Sequence, residues 1–256
     1  MRKKVGVAPE RCTGCGACVR ACPMGVMELT EGKAAVNKRH HCLECMHCAA
    51  ACPARAIIWE GLSEAELYPS LPEDGMEQTI LMRRSTRHFR ADCPDRALLE
   101  RILNRAEYAP SSKNEHLNCW TVVLGKEKTD ELIPYVLDWG EHNGRRELKI
   151  QASRGINMMT CGAPCVIVGH IPSTSNNPEG DVVIAMTTAE LLLTRAGLSA
   201  CWGGYLKRTI SATPALREKL GIPEDHVVAG VLLVGYADGE RYCNVPWRKP
   251  AEINWV

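Results

Sequence analysis

Two copies of one cysteine spacing place the strongest constraint on how this chain can fold. Each copy reads C-x-x-C-x-x-C-x-x-x-C-P, at residues 12–23 and 42–53. In this spacing the first three thiolates of a run bind one [4Fe–4S] cluster, and the fourth binds the other cluster of a pair. The spacing therefore predicts two [4Fe–4S] clusters. The predicted ligands are Cys12, Cys15, Cys18 and Cys52 for the first cluster, and Cys42, Cys45, Cys48 and Cys22 for the second.

Other uses of these cysteines agree less well with the sequence. Zinc sites contain paired CxxC knuckles and not a triple run that ends in C-P. Disulfides need an oxidising compartment, and residues 1–12 lack the apolar segment of a secretory signal. Clusters and reduced thiols together indicate a reducing compartment, so we expect a cytoplasmic protein.

Composition excludes two classes of partner. The chain has 31 basic and 30 acidic side chains, so no global field favours nucleic acid. The longest apolar run near the end, residues 227–234, is interrupted by Gly230 and is far shorter than a membrane span. We therefore expect neither a nucleic-acid partner nor a membrane partner.

The length of 256 residues suits about two domains. Residues 1–61 form the first predicted domain, with short strands at 26–29, 34–36 and 56–59; its apolar core is small, so the clusters must hold it together. Residues 62–75 are acidic and contain prolines, which indicates a linker, and apolar anchors such as Leu67 and Tyr68 indicate that it lies on a surface. Residues 76–256 form the second predicted domain.

The second domain mixes helices and strands without a regular βαβ alternation, which predicts an α+β fold. Apolar periodicity predicts an amphipathic helix over 95–109 and a long helix over 181–196. A short helix is predicted from Thr213 and Pro214 to Gly221. Strands are predicted at 120–124, 163–169 and 227–236, and the second of them is apolar enough to be buried on both faces.

The densest polar group in the second domain is the run Arg83, Arg84, Ser85, Thr86 and Arg87. Three guanidinium groups and two hydroxyls follow a helix predicted over 76–82. Arginine binds phosphate oxygens in a bidentate manner, so the run suits a phosphate dianion. The alternative is a solvated basic surface.

Six motifs in order resemble the FMN-dependent nitroreductase family, in the variant that carries a two-cluster ferredoxin at its N-terminus. They are RRSTRHF (83–89), YAPSSKN (108–114), APCVIV (163–168), AGLSACWGGYLKR (196–208), LGIPEDHVVAGVLLVGY (220–236) and PWRKPAEINW (246–255). The resemblance implies an N-terminal two-cluster ferredoxin-type domain followed by an FMN-dependent nitroreductase-like α+β domain. It also implies an obligate homodimer.

The resemblance further implies which residues bind FMN. The matching positions are Arg83, Arg84, Ser85, Arg87, Asn114, Trp202, Gly203, Gly204 and Arg248. Arg83, Ser85 and Arg87 would hold the phosphate, with Arg84 spare or structural. Arg248 would add a second positive contact. Asn114 would bond the polar edge of the isoalloxazine, and the Trp-Gly-Gly run would lie over the ring, where glycine lets backbone approach closely. Many family members read Gln-Pro after Asn114, whereas this chain has Glu115, His116 and Leu117.

These cofactors together predict an iron–sulfur flavoprotein oxidoreductase. Clusters carry one electron at a time, and FMN converts single electrons into a pair or a hydride for a small organic acceptor, nitroaromatic- or quinone-like in tests. External ferredoxin or NAD(P)H is the expected donor, and no catalytic side chain is required. Two alternatives stay open: electron export from flavin to clusters during substrate or NAD(P)H oxidation, and a non-catalytic redox sensor or electron carrier.

The remaining thiols and two histidines have weaker assignments. We expect buried or incidental thiols at Cys93, Cys119, Cys161, Cys165, Cys201 and Cys243. His88 and His116 are minor candidates for proton delivery.

Overall fold

The structure is a computed structural model that describes residues 5–71, 73–239 and 242–256. The chain divides into two compact units. The first contains Met1–Arg84 and Gly239–Val256, and the second contains Ser85–Asp238. The C-terminal segment, which the sequence analysis assigned to the second domain, is therefore grouped with the first unit. The domain boundaries of the sequence analysis stay a prediction.

Short strands and short helices build the first unit. Its elements are β1 Val5–Val7, α1 Ala17–Ala21, β2 Met27–Thr30, β3 Lys33–Val36, α2 His47–Ala51, β4 Ile57–Trp59, α3 Glu64–Leu67 and α4 Gly75–Met82. β1 pairs with β4 and β2 pairs with β3, both antiparallel. The β2–β3 turn has left-handed residues at Glu31 and Gly32, where the sequence predicts a turn. The strands predicted at 26–29, 34–36 and 56–59 correspond to β2, β3 and β4.

The two cysteine runs adopt the same backbone conformation. α1 begins after Gly16 (φ 71°) and α2 begins after Met46 (φ 61°), and both of these residues are left-handed. α1 is followed by Cys22 (φ −84°, ψ 106°) and α2 by Cys52 (φ −82°, ψ 107°), both with extended backbone. Each short helix therefore contains the third cysteine of its run and is followed directly by the fourth, whose backbone is extended.

The first part of segment 62–75 forms a short capped helix, α3, which packs within the first unit. Ser63 caps α3, because its hydroxyl accepts from the Glu66 N–H while the Glu66 carboxylate accepts from the Ser63 N–H at 2.8 Å. Leu67 and Tyr68 are buried, and the Tyr68 hydroxyl donates to the Ile57 carbonyl at 2.9 Å. The apolar anchors thus pack against the first unit.

The second unit is an antiparallel sheet between two layers of helices. Its elements are α5 Arg96–Ala106, β5 Cys119–Leu124, α6 Lys126–Asp130, α7 Ile133–His142, α8 Glu147–Ser153, β6 Cys165–Pro172, α9 Pro178–Arg195, β7 Ser199–Trp202, α10 Gly204–Ala212, α11 Pro214–Lys219 and β8 His226–Gly235. The strand order is β5-β6-β8-β7, and every neighbouring pair is antiparallel. The α+β class predicted from the sequence is confirmed.

The central strand β6 is buried on both faces, as its composition predicts. Cys165 and Ile167 pack in the core that includes α5 and α9, whereas Val166 and Val168 pack in the core that includes α7, α8, α10 and α11. Alternate side chains therefore enter two separate cores, which explains the uninterrupted apolar run. β6 is antiparallel to both of its neighbours. Its uninterrupted apolar sequence is therefore explained by the helices that cover both faces of the sheet, and not by parallel pairing.

Several elements differ from the sequence-based expectation. Helices α6, α7, α8 and α10 and strand β7 were not predicted. α5 ends at Ala106 and not at 109, because the Ala109 N–H bonds the Ala106 carbonyl at 3.0 Å in a tight turn before Pro110. None of the helices in the described part of the chain has the length and apolar character of a membrane span.

Candidate functional site

The first predicted cluster set lies together in the first unit. Cys12, Cys15, Cys18 and Cys52 line one cavity with mainly apolar walls. The pKa of Cys18 is raised to about 11, first by burial and then by the thiols of Cys52, Cys12 and Cys15. A thiol whose pKa is raised in this way becomes a thiolate when it binds a metal, because coordination deprotonates it outright. This all-sulfur donor set fits the iron of a cluster.

The second predicted set lines a separate cavity. Cys22, Cys42, Cys45 and Cys48 lie there, beside apolar side chains. Burial is the main reason that the pKa of Cys48 is raised, followed by the nearby thiols of Cys45, Cys22 and Cys42. In both sets, the fourth cysteine of one run joins the first three of the other run, as the spacing predicts. Ligation itself stays a prediction.

Backbone N–H groups point at four of these sulfurs. The bonds run from Ala34 to Cys12 (3.3 Å), from Ala56 to Cys52 (3.2 Å), from Val26 to Cys22 (3.2 Å) and from Glu44 to Cys42 (3.4 Å). The bonds to Cys22 and Cys52 come from equivalent positions, four residues after each cysteine. Such donors favour the thiolate form and help to set the reduction potential of a cluster.

A buried asparagine ties the C-terminal segment to the first cysteine set. The Asn244 side-chain amide donates to the Cys52 carbonyl at 2.7 Å and to the Ala49 carbonyl at 3.2 Å, and its oxygen accepts from Arg55 Nε at 3.3 Å. The backbone N–H of Trp247 bonds the Leu67 carbonyl at 3.2 Å. These contacts explain why Gly239–Val256 belongs to the first unit.

The predicted FMN contacts divide between the units, with Arg83, Arg84 and Arg248 in the first. The Arg84 side chain is buried, and its guanidinium donates to the carbonyls of Arg83 and Leu81 at the end of α4. The pKa of Arg84 is lowered to about 10, first by burial and then by the charges of Arg248 and Arg83. Arg84 Nε is buried without a hydrogen-bond partner among the described residues. The guanidinium groups of Arg83, Arg84 and Arg248 repel one another. An anion such as a phosphate would offset this repulsion and accept a hydrogen bond from Arg84 Nε.

In the second unit, the segment that follows Arg84 runs beside β7. Ser85 forms a parallel bridge with Ala200, and the Thr86 N–H bonds the Ala200 carbonyl at 3.0 Å. Arg87 Nη1 donates to the Ser85 carbonyl at 3.2 Å. Trp202 follows Ala200 by two residues on the same strand. The structure thus brings Ser85 and Arg87 to the strand that leads into the predicted ring-binding run.

The two glycines of the run Trp202, Gly203 and Gly204 differ in the space available beside them. A Cβ on Gly203 would lie 3.1 Å from Val231 Cγ1, whereas a Cβ on Gly204 would meet no atom within 4 Å. Gly204 begins α10, whose N-terminus has no side-chain cap. The Trp202 indole is held by a 3.1 Å bond from Nε1 to the buried Glu190 carboxylate. Open space beside uncapped backbone N–H groups fits a flat ring with hydrogen-bond acceptors.

Asn114 lies on a different loop, in a strained conformation. Lys113, Asn114 and His116 have φ values of 51°, 58° and 48°. Asn114 Oδ1 lies 2.9 Å from His116 Nε2, and among the described residues the Asn114 amide N–H groups are left for a ligand. The loop is anchored because the Ser112 N–H donates to the buried Asp181 carboxylate at 3.0 Å. Left-handed non-glycine residues are typical of ligand-binding loops.

Sequence reasoning missed two features of the second unit. Glu190 is a buried carboxylate on α9 that positions Trp202, and a lone acid within an apolar helical stretch was the available signal. The other is a group formed by Cys119, His170 and His226, whose ligand atoms lie within 4.8 Å of one another. No local spacing connects those three residues, so the fold alone reveals them.

Comparison with known proteins identifies both parts of the chain. A 4Fe-4S dicluster domain profile matches residues 11–57. A ferredoxin from Methanothermococcus thermolithotrophicus is 44% identical over 50 residues, which is 19% of this chain and 83% of that protein. The expected N-terminal ferredoxin-type domain is confirmed.

The second part is similar to solved nitroreductases. The structure of a nitroreductase with bound FMN from Bacteroides fragilis superposes with a TM-score of 0.64, at 23% identity over 72% of this chain and 99% of that chain. A nitroreductase with bound FMN from Desulfitobacterium hafniense gives a TM-score of 0.59, at 26% identity over 72% of this chain and 100% of that chain. The Nitroreductase family profile matches residues 80–236, which is more than half of the chain. The chain therefore belongs to the nitroreductase family and carries a 4Fe-4S dicluster domain at its N-terminal end.

Proposed function

We propose that the protein is an iron–sulfur flavoprotein oxidoreductase in which two [4Fe–4S] clusters pass electrons to FMN, which reduces a small organic acceptor. One observation carries the proposal. Two complete sets of four cysteines, each around its own cavity, occur in the same chain as a nitroreductase-family unit. A reductase that takes electrons only as hydride does not need a pair of clusters. The presence of the two cysteine sets therefore supports a supply of single electrons to FMN.

The chain's own residues bind and tune the clusters. Cys12, Cys15, Cys18 and Cys52 bind the first cluster, and Cys42, Cys45, Cys48 and Cys22 bind the second. The N–H groups directed at their sulfurs stabilise negative charge on the thiolates. The mainly apolar walls of both cavities limit the access of water to the sulfurs.

A second group of residues binds FMN, the cofactor that the two solved nitroreductases contain. Arg83, Ser85 and Arg87 hold its phosphate, Arg248 adds positive charge, and buried Arg84 supports the same run. Asn114 bonds the polar edge of the isoalloxazine. Trp202, Gly203 and Gly204 lie over the ring, where Gly204 has open space beside it. Bound FMN supplies the redox chemistry and converts single electrons into a pair or a hydride.

The chain works as a homodimer in a reducing compartment such as the cytoplasm. α9 exposes Val183 and Ile184 to solvent in the middle of a long helix. Thr187 and Thr188 extend this stripe, and their hydroxyls donate to the carbonyls of Val183 and Ile184, at 2.8 and 3.0 Å. The stripe therefore presents mainly methyl groups, which supports a partner helix. Ile184→Glu should shift the protein to monomer in sedimentation, whereas Ile150→Glu, at an exposed isoleucine on α8, should not.

The decisive experiment compares donors in the full-length protein. Truncation at Met76 would remove the partners of the C-terminal segment, Ala49 and Leu67, so a cluster-ligand variant is the better test. Wild type and Cys48→Ser are assayed anaerobically with reduced ferredoxin, dithionite and NAD(P)H, using a nitroaromatic and a quinone as acceptors. The variant should keep FMN and lose most turnover with ferredoxin. Turnover with NAD(P)H, which reaches FMN directly, should persist.

Other outcomes select the alternatives. Equal turnover by both proteins with every donor would remove the clusters from the catalytic path. Rapid cluster reduction by NAD(P)H, without reduction of any organic acceptor, would establish electron export from flavin to clusters. Failure to reduce any acceptor, in a protein that binds FMN, would favour a redox sensor or electron carrier.

A further inference from the structure

Three adjacent strands of the second unit bring one thiol and two imidazoles together. Cys119 begins β5, His170 lies on β6 and His226 begins β8. Cys119 is directly opposite His170 across the β5–β6 pair, and His226 is opposite Pro172 across the β6–β8 pair. Opposed residues share a face of the sheet, and so do residues two apart on one strand. All three side chains therefore project from the same face.

The spacing of the ligand atoms matches a metal site. Sγ of Cys119 and one nitrogen from each histidine lie within 4.8 Å of one another. The two Nδ1 atoms of His170 and His226 are 2.8 Å apart. Tetrahedral zinc, with Zn–N near 2.0 Å and Zn–S near 2.3 Å, separates its ligand atoms by about 3.3–3.6 Å. The observed separations, 2.8 Å between the two Nδ1 atoms and at most 4.8 Å within the group, bracket these values.

The surroundings hold His170 in the orientation that a ligand needs. Its Nε2 lies 3.2 Å from the Thr121 hydroxyl, which contacts the Leu220 carbonyl at 3.5 Å. Metal-binding histidines typically use their second nitrogen in this way, which fixes the tautomer and ring orientation. A register shift between Gly169 and His170 interrupts the β6–β8 pairing at this point. Such irregularities re-aim side chains at functional positions.

The charges around the group are compatible with a cation bound through a thiolate. Arg217 is the nearby cation, but its guanidinium donates to the carbonyls of Pro223, Glu224 and His226. Neutral imidazole is the form that coordinates metals.

We propose that Cys119, His170 and His226 bind a zinc ion, with water in the fourth position. Sulfur and imidazole nitrogen are preferred zinc ligands, and three protein ligands with one open position are sufficient. Binding displaces the proton of the Cys119 thiol to solvent and leaves a thiolate on the metal. The ion connects β5, β6 and β8 at one end of the sheet. None of its three ligands is one of the eight cluster cysteines or of the predicted FMN contacts.

Metal analysis of the full-length, cluster-loaded protein tests this site. Protein is incubated anaerobically with zinc sulfate and desalted, and zinc and iron are measured by mass spectrometry. Wild type should retain about one zinc per chain. Cys119→Ala and His226→Gln should each retain at least about tenfold less zinc, with iron unchanged. Cys93→Ala removes an exposed cysteine outside the group and should retain as much zinc as wild type.

Two further readouts separate coordination from a general effect on folding. Thr121→Val should weaken zinc binding by about 10–100-fold in competition with a chromophoric chelator, while iron content and far-ultraviolet circular dichroism stay unchanged. Cobalt(II) should give a thiolate-to-metal charge-transfer band in the difference spectrum of wild type against Cys119→Ala. Zinc below about one ion per ten chains in wild type, or equal retention in Cys119→Ala, would overturn the proposal.

Discussion

Arg248 donates a hydrogen bond from Nη1 to the backbone carbonyl of Cys45 at 3.0 Å. Burial lowers the pKa of Arg248, while the neighbouring Cys45 sulfur raises it and Arg83 lowers it. A positive charge from the C-terminal segment is therefore held beside the loop of the second predicted cluster. The resemblance assigns Arg248 to the FMN phosphate, and this contact gives the same residue a consequence for the cluster.

Arg248→Gln should lower the reduction potential of the second cluster. Loss of a partly buried positive charge makes addition of an electron less favourable, and the shift should be on the order of tens of millivolts. Anaerobic redox titration followed by electron paramagnetic resonance measures it. Lys249→Gln is the matched control, because Lys249 is more exposed and pairs with Glu252. Equal potentials in wild type and both variants would contradict an electrostatic role for Arg248.

Asn244→Ala should destabilise the first unit. The side chain is buried and bonds Cys52, Ala49 and Arg55, so its removal leaves buried carbonyls without donors. The expected cost is about 1–3 kcal/mol of unfolding free energy. Anaerobic denaturation followed by cluster absorbance measures the change. Asn254→Ala, at an exposed position of the same segment, should have no effect, and an equal effect of both variants would argue against the role of Asn244.

The features that the sequence predicted well have local causes. The cysteine spacing groups residues within a few turns of chain, and the two sets that it predicts lie together in the structure. α5 could be recognised because its buried residues recur at helical spacing, and Asp95 caps it by accepting from the Leu98 N–H at 2.8 Å. β6 could be recognised because every position in it is apolar or small before His170.

The features that the sequence did not predict depend on long-range contacts. The C-terminal segment packs with the first unit through Asn244 and Trp247, and neither residue shows its partner in the local pattern. Cys119 was expected to be an incidental thiol because nothing near it in sequence resembles a metal motif. Only the register of three strands brings it to His170 and His226.

Cys48→Ser should remove cluster iron. Cys48 is among the thiols that line the second cavity, and a serine hydroxyl is a poor ligand for cluster iron. Iron should fall from about eight per chain to about four or fewer. The measurement is iron content after anaerobic purification. Cys161→Ser, in the second unit, should keep the full iron content, and equal losses in the two variants would contradict the ligand assignment.

Arg87→Glu should weaken FMN binding, because it places a carboxylate where the resemblance puts the FMN phosphate. Loss of a charged hydrogen bond costs about 1.5–3 kcal/mol, which corresponds to a rise in Kd of about 10–150-fold, and like-charge repulsion adds to it. Fluorescence titration of protein freed of flavin measures the affinity. Lys126→Glu is the charge-matched control, since Lys126 pairs with its helix neighbour Asp130 in a partly exposed contact worth under about 1 kcal/mol. Similar affinities in the two variants would locate the phosphate site away from Arg87, whereas a selective loss in Arg87→Glu would assign the arginine run to FMN.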